Sequence, residues 1–227
     1  MACNQRKRPL PRLRQHGSAY LYIPLHQLRV RPPGYPSVPE QIDWRELFAN
    51  GVAPVNLDVG CGEGGFLLRF AREHPYENIL GLEVRKTLVQ WLEGVIRDEQ
   101  IPNAAVLWYS VVNGLRFLES SSVRRIFYLF PDPWPKKRHH KRRALSVPLL
   151  QEFARVLCPE GLLFWATDSP DLEAYHWRVL SEFGQFCCET VVEDSDWGIP
   201  LTDREQACRR GGIPYVRVRC WKRCPVF

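Results

Sequence analysis

From residue 55 onward, short apolar runs alternate with stretches whose apolar residues recur at helical spacing. The predicted strands span residues 55–59, 78–84, 104–109, 124–130 and 161–167, and the predicted helices span 66–74, 86–98, 144–157 and 172–183. This alternation predicts a parallel, doubly wound α/β sheet that binds ligands at the carboxyl ends of its strands. Two further runs, 186–192 and 213–222, predict an antiparallel end of the same sheet.

The chain divides at about residue 39 by composition. Residues 1–39 are rich in Arg and Pro and lack a sustained period, which predicts an arm that is flexible at least in its first half. Residues 40–227 are expected to form one domain, because a chain of 227 residues with 45% hydrophobic residues can bury one sizeable core. Asp43 is expected to cap a short helix before the first strand.

The positive charge is concentrated in two segments. Residues 1–39 carry seven Arg or Lys and no acid, and residues 136–143 (KKRHHKRR) add six more. The rest of the chain has 18 basic residues against 25 acidic ones, so two basic patches lie on an acidic body. This distribution favours a polyanion such as a nucleic acid, although a solvated tail and a solubilising loop would also account for it.

Several classes of protein are disfavoured. No run approaches the roughly 18 apolar residues of a membrane span, and no signal segment follows the basic N-terminus, so a cytoplasmic location is expected. The eight cysteines are dispersed, which predicts reduced thiols. Cys220 and Cys224 form a close pair, but no companion pair matches a zinc site, and no metal is expected.

A glycine-rich turn follows the first predicted strand. In LDVGCGEGG (57–65) the strand leads into Gly60, Gly62, Gly64 and Gly65 and then into a helix. Glycine lets a backbone turn with positive φ and approach a ligand closely. Read as GxGxxG, with Glu83 to hold a ribose, the turn also fits a dinucleotide.

Two acids favour S-adenosylmethionine over a dinucleotide. Asp58 lies just before the glycines, where it would repel a pyrophosphate but suits a ligand with a cationic centre. Glu83, at the end of the second strand, then accepts hydrogen bonds from the ribose hydroxyls. Asp58 could instead simply order the turn. Ser110 follows the third strand, with Asn113 one helical turn further on, and both are candidates to face the adenine.

The segment FPDPWPKKRHHKRR (130–143) carries the second strong signal. Asp132 follows the fourth strand between Pro131 and Pro133, so its backbone is stiff and its carboxylate is expected over the cofactor pocket. Trp134 offers a flat face beside it. The expected phosphate contacts are Lys137, Arg138, Lys141, Arg142 and Arg143.

These motifs, together with GLEVR (81–85), TDSPDLEAY (167–175) and TDRE (202–205), resemble the tRNA (guanine-N7)-methyltransferase family in its bacterial, single-chain form. The resemblance extends from about residue 43 to residue 221. It implies a class I methyltransferase fold, Rossmann-like with a mostly parallel seven-stranded sheet and an antiparallel edge hairpin. It also implies methyl transfer from S-adenosylmethionine to a guanosine in tRNA, at position 46 of the variable loop.

The resemblance also assigns roles to individual residues. It implies that Asp58, Glu83 and Asp132 contact the cofactor, with Asp132 also catalytic. Residues implied to bind the guanosine are Lys136, Asp168, Thr202, Asp203, Arg204 and Glu205. Carboxylates suit the N1 and N2 donors of guanine, so Asp168 and Glu205 could select the base. Locally, Asp168 also resembles a helix N-cap and TDRE a capping box.

Ser110 and Val111 depart from the family, which usually has Asp or Asn followed by Ala after the third strand. The expected partner is tRNA, with the protein a monomer or homodimer and no obligatory partner subunit. Three alternatives remain: methylation of another RNA, a protein or a small molecule; a nonenzymatic RNA-binding subunit; and a nicotinamide dehydrogenase. Because guanine N7 has a free lone pair, the predicted chemistry is alignment and electrostatic stabilisation, with no general base.

Overall fold

The computed structural model describes residues 8–12 and 18–223. Its strands are β1 (Asn56–Val59), β2 (Ile79–Glu83), β3 (Ala104–Trp108), β4 (Val123–Leu129), β5 (Leu157–Thr167), β6 (Phe186–Thr190) and β7 (Val216–Lys222). They form a seven-stranded sheet in the order β3-β2-β1-β4-β5-β7-β6. Strands β1 to β5 pair in parallel, and β7 is antiparallel to both β5 and β6. The predicted doubly wound sheet with an antiparallel end is confirmed.

Helices cover both faces of this sheet. They are α1 (Gly65–Glu73), α2 (Lys86–Asp98), α3 (Val147–Val156), α4 (Pro170–Phe183), α5 (Asp194–Trp197) and α6 (Asp203–Gly211). Ser146, Ser169 and Thr202 cap α3, α4 and α6 with their hydroxyls, and Gly184 ends α4 with a φ of 69°. These caps satisfy backbone groups that a helix end leaves unpaired.

Alternate residues of each strand enter two hydrophobic clusters. Leu163 and Trp165 of β5 pack with α3 and α4, whereas Phe164 and Ala166 pack in the cluster that holds the buried faces of α1 and α2. Both faces of the sheet are therefore covered, and the carboxyl ends of the parallel strands remain as the place for a site.

The elements that differ from the sequence prediction include β5 and α6. Strand β5 begins at Leu157 and not at residue 161, because the β4–β5 pairing shifts register between Val123 and Arg125 and keeps residues 158–160 in the strand. Residues 203–211 form α6, which the apolar pattern did not predict because the helix is mostly polar.

The cysteine prediction is wrong for one pair. Cys188 of β6 lies directly opposite Cys220 of β7, and the two are joined as a disulfide. The pairing arises from the antiparallel register, which cysteine spacing alone does not reveal. Cys224, which forms the close pair with Cys220 in the sequence, lies outside the described residues.

The described part of the N-terminal arm packs on the domain. Pro9 accepts a hydrogen bond from the Trp91 indole at 2.8 Å, and Arg8 pairs with Asp98. Short 3₁₀ helices form at Ala19–Tyr22 and Leu25–Gln27, and Tyr35 is buried. The second half of the predicted arm therefore covers part of the domain surface. No helix in the described residues is long and apolar enough to cross a membrane.

Candidate active site

The glycine turn connects β1 to α1 with an unusual backbone. Gly60, Gly62 and Gly64 have φ values of 80°, 57° and 70°, which residues with a side chain rarely adopt. A Cβ on Gly64 would lie 2.5 Å from Leu92 of α2, whereas one on Gly60 would meet no atom within 4 Å. The turn thus packs against α2 on one side and leaves an open concave face at Gly60.

Asp58 lies on β1 just before this turn and is 4% exposed. Among the described residues, none bonds its buried Oδ2 atom. Burial, and then the nearby Glu83 carboxylate, raise the pKa of Asp58 to about 8. A buried carboxylate without a donor is costly, so the site suits a ligand that brings a positive charge and N–H donors.

Glu83 ends β2 on the other side of the turn and is also 4% exposed. Its carboxylate accepts hydrogen bonds from Gly62 N at 3.1 Å and from Arg85 N and Nε, each at 2.9 Å. It therefore fixes the glycine turn and holds the Arg85 guanidinium at the site. Sequence reasoning missed Arg85, although its place two residues after Glu83 in GLEVR was the available signal.

Two adjoining cavities open at the carboxyl ends of the strands. The first, of about 240 Å³, is lined by residues that include Gly60, Glu83, Arg85, Ser110 and Asp132. The second, of about 380 Å³, is lined by residues that include Asp58, Gly60, Thr202, Asp203 and Arg204. Both are also lined by Phe130, so the structure brings the predicted donor residues and most of the TDRE segment to the same edge of the sheet.

The backbone of the loop after β4 is strained at two residues. Phe130 and Trp134 have positive φ values of 49° and 45°, which non-glycine residues rarely adopt. Asp132 lines the first cavity, as predicted from its position between two prolines. Trp134 is only 4% exposed, and the rings of Tyr22 and His139 lie 5.1 and 5.9 Å from its own, centroid to centroid. It forms part of the cavity wall and not an open platform.

Ser110 and Asn113 have different environments. Ser110 lines the first cavity, but its hydroxyl donates to the carbonyl of Leu21 in the N-terminal segment. Asn113 Oδ1 accepts from Leu25 N at 2.7 Å, and Asn113 Nδ2 donates to the Tyr35 hydroxyl at 2.9 Å. The expectation that Asn113 faces adenine is therefore corrected, because its amide is committed to the N-terminal segment.

The TDRE segment forms the capping box of α6. Thr202 Oγ1 accepts from Glu205 N, and Glu205 Oε2 accepts from Thr202 N at 2.7 Å. Glu205 is fully buried, which raises its pKa, and its Oε1 has no partner among the described residues. The local capping explanation is thus correct for Thr202 and Glu205, although one carboxylate oxygen remains uncommitted.

Asp168 directly follows β5 and lies beside this helix. It pairs with Arg204 of α6, while the neighbouring Ser169, not Asp168, caps α4. Asp203 pairs with Arg69 of α1 at 2.8 Å. The predicted guanosine residues Asp168, Asp203 and Arg204 are therefore held together by ion pairs that tie α6 to the rest of the site.

The basic segment splits into two groups. Lys136, Lys137, Arg138 and Lys141 are exposed. In contrast, Arg142 lines the first cavity with its guanidinium 4.8 Å from the Trp134 ring centroid. Arg143 is 8% exposed, donates to the Pro133 carbonyl at 3.0 Å and lies over Tyr175. The predicted phosphate contact is corrected for Arg143, because its buried guanidinium bonds the loop after β4.

Comparisons with known proteins agree with this geometry. A family model described as a putative methyltransferase matches residues 52–218. A tRNA (guanine-N(7)-)-methyltransferase of Synechococcus elongatus is 33% identical over 77% of this chain and 84% of its own length. One from Synechococcus sp. (strain JA-3-3Ab) is 34% identical over 77% of this chain and 75% of its own length. The solved 16S rRNA methyltransferase KamB is similar in fold, with a TM-score of 0.54, 16% identity, and coverage of 80% of this chain and 91% of that one.

Proposed function

Because the chain belongs to the tRNA (guanine-N(7)-)-methyltransferase family, we propose that it transfers a methyl group from S-adenosylmethionine to N7 of a guanosine in tRNA, at position 46 of the variable loop. The observation that carries the proposal is the pair of adjoining cavities, which share Gly60 and Phe130. One cavity has the residues expected for a nucleoside donor, and the other has the residues expected for a guanine. Two reactants bound there would meet at the glycine turn.

The buried carboxylates fit the proposed donor. Asp58, with an unpartnered buried oxygen, is suited to the ammonium group of the donor. Glu83 is suited to the ribose hydroxyls, provided that Arg85 gives up part of its hydrogen bonding to that carboxylate. Ser110 and Asp132 line the first cavity with Glu83, whereas Asp58 lines the second cavity beside Gly60.

The second cavity would hold the guanosine. Thr202, Asp203 and Arg204 line it, and Asp168 contacts Arg204 at its edge. The carboxylate of Asp168 would accept from the N1 and N2 groups of guanine, which adenine does not offer in the same pattern. Lys136, exposed at the start of the basic segment, would approach the same nucleotide from the loop after β4.

The proposed reaction requires alignment of the two reactants and stabilisation of the charge that develops. When bound, S-adenosylmethionine supplies the methyl group, and the lone pair of guanine N7 forms the new N–C bond as the S–C bond breaks. The protein orients the two partners, a contribution that can reach about 7 to 11 kcal/mol. The loop after β4 holds Asp132 at the first cavity. There its negative charge would stabilise the positive charge that develops on the purine.

The exposed cations Lys137, Arg138 and Lys141 would bind the phosphates around the target. Arg142 lies deeper, in the wall of the first cavity, which is the proposed donor site.

The test is incubation of the purified chain with unmodified tRNA and labelled S-adenosylmethionine, followed by nucleoside analysis. The expected product is 7-methylguanosine, and it should be lost with a transcript in which adenosine replaces guanosine at position 46. Labelling of another nucleoside would refute the acceptor, and labelling of protein without RNA would favour a different substrate class.

A further inference from the structure

The N-terminal segment supplies part of the first cavity. Residues 18–35, here called the strap, are fixed to the loop after β3 by hydrogen bonds at several points. The Ser110 hydroxyl donates to Leu21 O, and Asn113 accepts from Leu25 N. Tyr35 donates to Ile23 O at 2.8 Å and also bonds Asn113. These bonds fix the course of the chain on both sides of Tyr22.

Tyr22 is the strap residue that enters the cavity. It lines the cavity together with Glu83, Ser110 and Asp132. Its ring lies 5.1 Å from the Trp134 ring, centroid to centroid, at an interplanar angle of 74°. Since the edge of one ring meets the face of the other in such a pair, the position of Tyr22 is set both by the strap and by the loop after β4.

We propose that the Tyr22 ring binds the nucleoside half of the donor, and that Ser110 and Asn113 are positioning residues that act through the strap that holds Tyr22. The inference rests on the proposed function, because it takes the first cavity as the donor site. It accounts for the departure from the family after β3. The polar side chains at Ser110 and Asn113 bind the strap, and an aromatic ring from that strap provides the contact with the nucleoside half of the donor.

The chemistry of the cavity supports a nucleoside at this position. Aromatic side chains bind purine bases through their faces, and this interaction tolerates many orientations. Glu83, in the same cavity, is the residue suited to ribose hydroxyls. A ring that shares a cavity with such a carboxylate is in reach of the base attached to that ribose.

Binding of S-adenosylhomocysteine, measured by calorimetry, tests the role of Tyr22. Tyr22→Ala should raise the Kd about tenfold, the size expected when one base–aromatic contact is lost. Tyr22→Phe should restore binding to near the wild-type value, because the ring and not the hydroxyl makes the contact. The matched control is Tyr76→Ala, which removes a tyrosine that is 97% exposed. Unchanged affinity in Tyr22→Ala would overturn the proposal.

Asn113→Ala tests the route through the strap. Its neighbours Val111 and Val112 line the cavity, whereas the Asn113 amide bonds the strap. The variant should weaken binding in the same direction as Tyr22→Ala, and the two effects should be less than additive in the double variant, because both remove the same contact. Fully additive effects, or no effect of Asn113→Ala in protein that circular dichroism shows to be folded, would overturn this route.

The same titrations separate the two proposals. If the wild-type chain does not bind S-adenosylhomocysteine, the proposed donor is wrong. If the wild-type chain binds it and methylates tRNA but Tyr22→Ala binds equally well, only the role of Tyr22 fails.

Discussion

Replacement of Asp58 by asparagine is predicted to change how the stability of the unliganded protein depends on pH. Burial and the Glu83 carboxylate raise the pKa of Asp58 to about 8 in the folded protein, against a value of 3.8 for the free side chain. Between these two values the folded protein holds a proton that the unfolded chain has lost. The stabilising contribution of the protonated group is complete below the unfolded pKa and is lost as the pH rises toward 8.

The expected change in the free energy of unfolding follows from a difference of one bound proton. A difference of one bound proton between the folded and unfolded states changes the free energy of unfolding by about 1.4 kcal/mol per pH unit. Between pH 5 and pH 7, Asp58 should therefore lower the stability by about 3 kcal/mol. Asparagine has a similar shape and does not titrate, so the variant should gain about this amount relative to the wild type over the same interval.

The assay is urea unfolding of both proteins at pH 5, 6 and 7 without a ligand. Asp196→Asn, which changes an exposed carboxylate on α5, is the control and should follow the wild type at every pH. Parallel stability curves for Asp58→Asn and the wild type would refute the reasoning. Asp58→Asn should also bind S-adenosylmethionine more weakly, since asparagine cannot release a proton to form the carboxylate that would pair with the ammonium group of the donor.

Three further changes probe the catalytic, RNA-binding and structural charges. Asp132→Asn should lower the single-turnover rate of methylation on the order of a hundredfold while the Kd of the donor, from calorimetry, changes little; an unchanged rate would remove Asp132 from the mechanism. Reversal of three of the exposed cations of the basic segment should weaken tRNA binding and reduce the slope of log affinity against log salt by about 2 to 3. Reversal of Arg124, at the opposite end of β4, should leave both the affinity and the slope unchanged. These three cations are Lys137, Arg138 and Lys141. Arg143→Ala should lower the free energy of unfolding by about 2 kcal/mol, because it removes a buried charged hydrogen bond; urea unfolding measures this, and full stability would contradict the buried role.

Much of the fold could be predicted from the sequence because its determinants are local. The strand alternation, the glycine turn and the helix caps are all encoded within short segments, and α2 was predicted with the bounds that it has in the structure, Lys86–Asp98. The glycines before α1 predict a turn with positive φ, which the values at Gly60 and Gly62 confirm.

The remaining features depend on contacts between distant parts of the chain. Nothing near Asn113 in the sequence indicates that its amide bonds Leu25 and Tyr35. The burial of Arg143 over Tyr175 depends on how the loop after β4 packs on α4. From the sequence alone, a run of cations predicts an exposed segment. The Cys188–Cys220 pair likewise depends on the register of β6 and β7.

The most direct test of the account uses tRNA that carries 7-deazaguanosine at position 46, in which a C–H group replaces N7. The account predicts that this tRNA binds as tightly as the unmodified transcript and accepts no methyl group. The reason is that the nucleophile is the N7 lone pair, while the protein only aligns the reactants and stabilises the developing charge. Methylation of the 7-deaza transcript at the same rate as the unmodified one would contradict the claim that N7 is the acceptor.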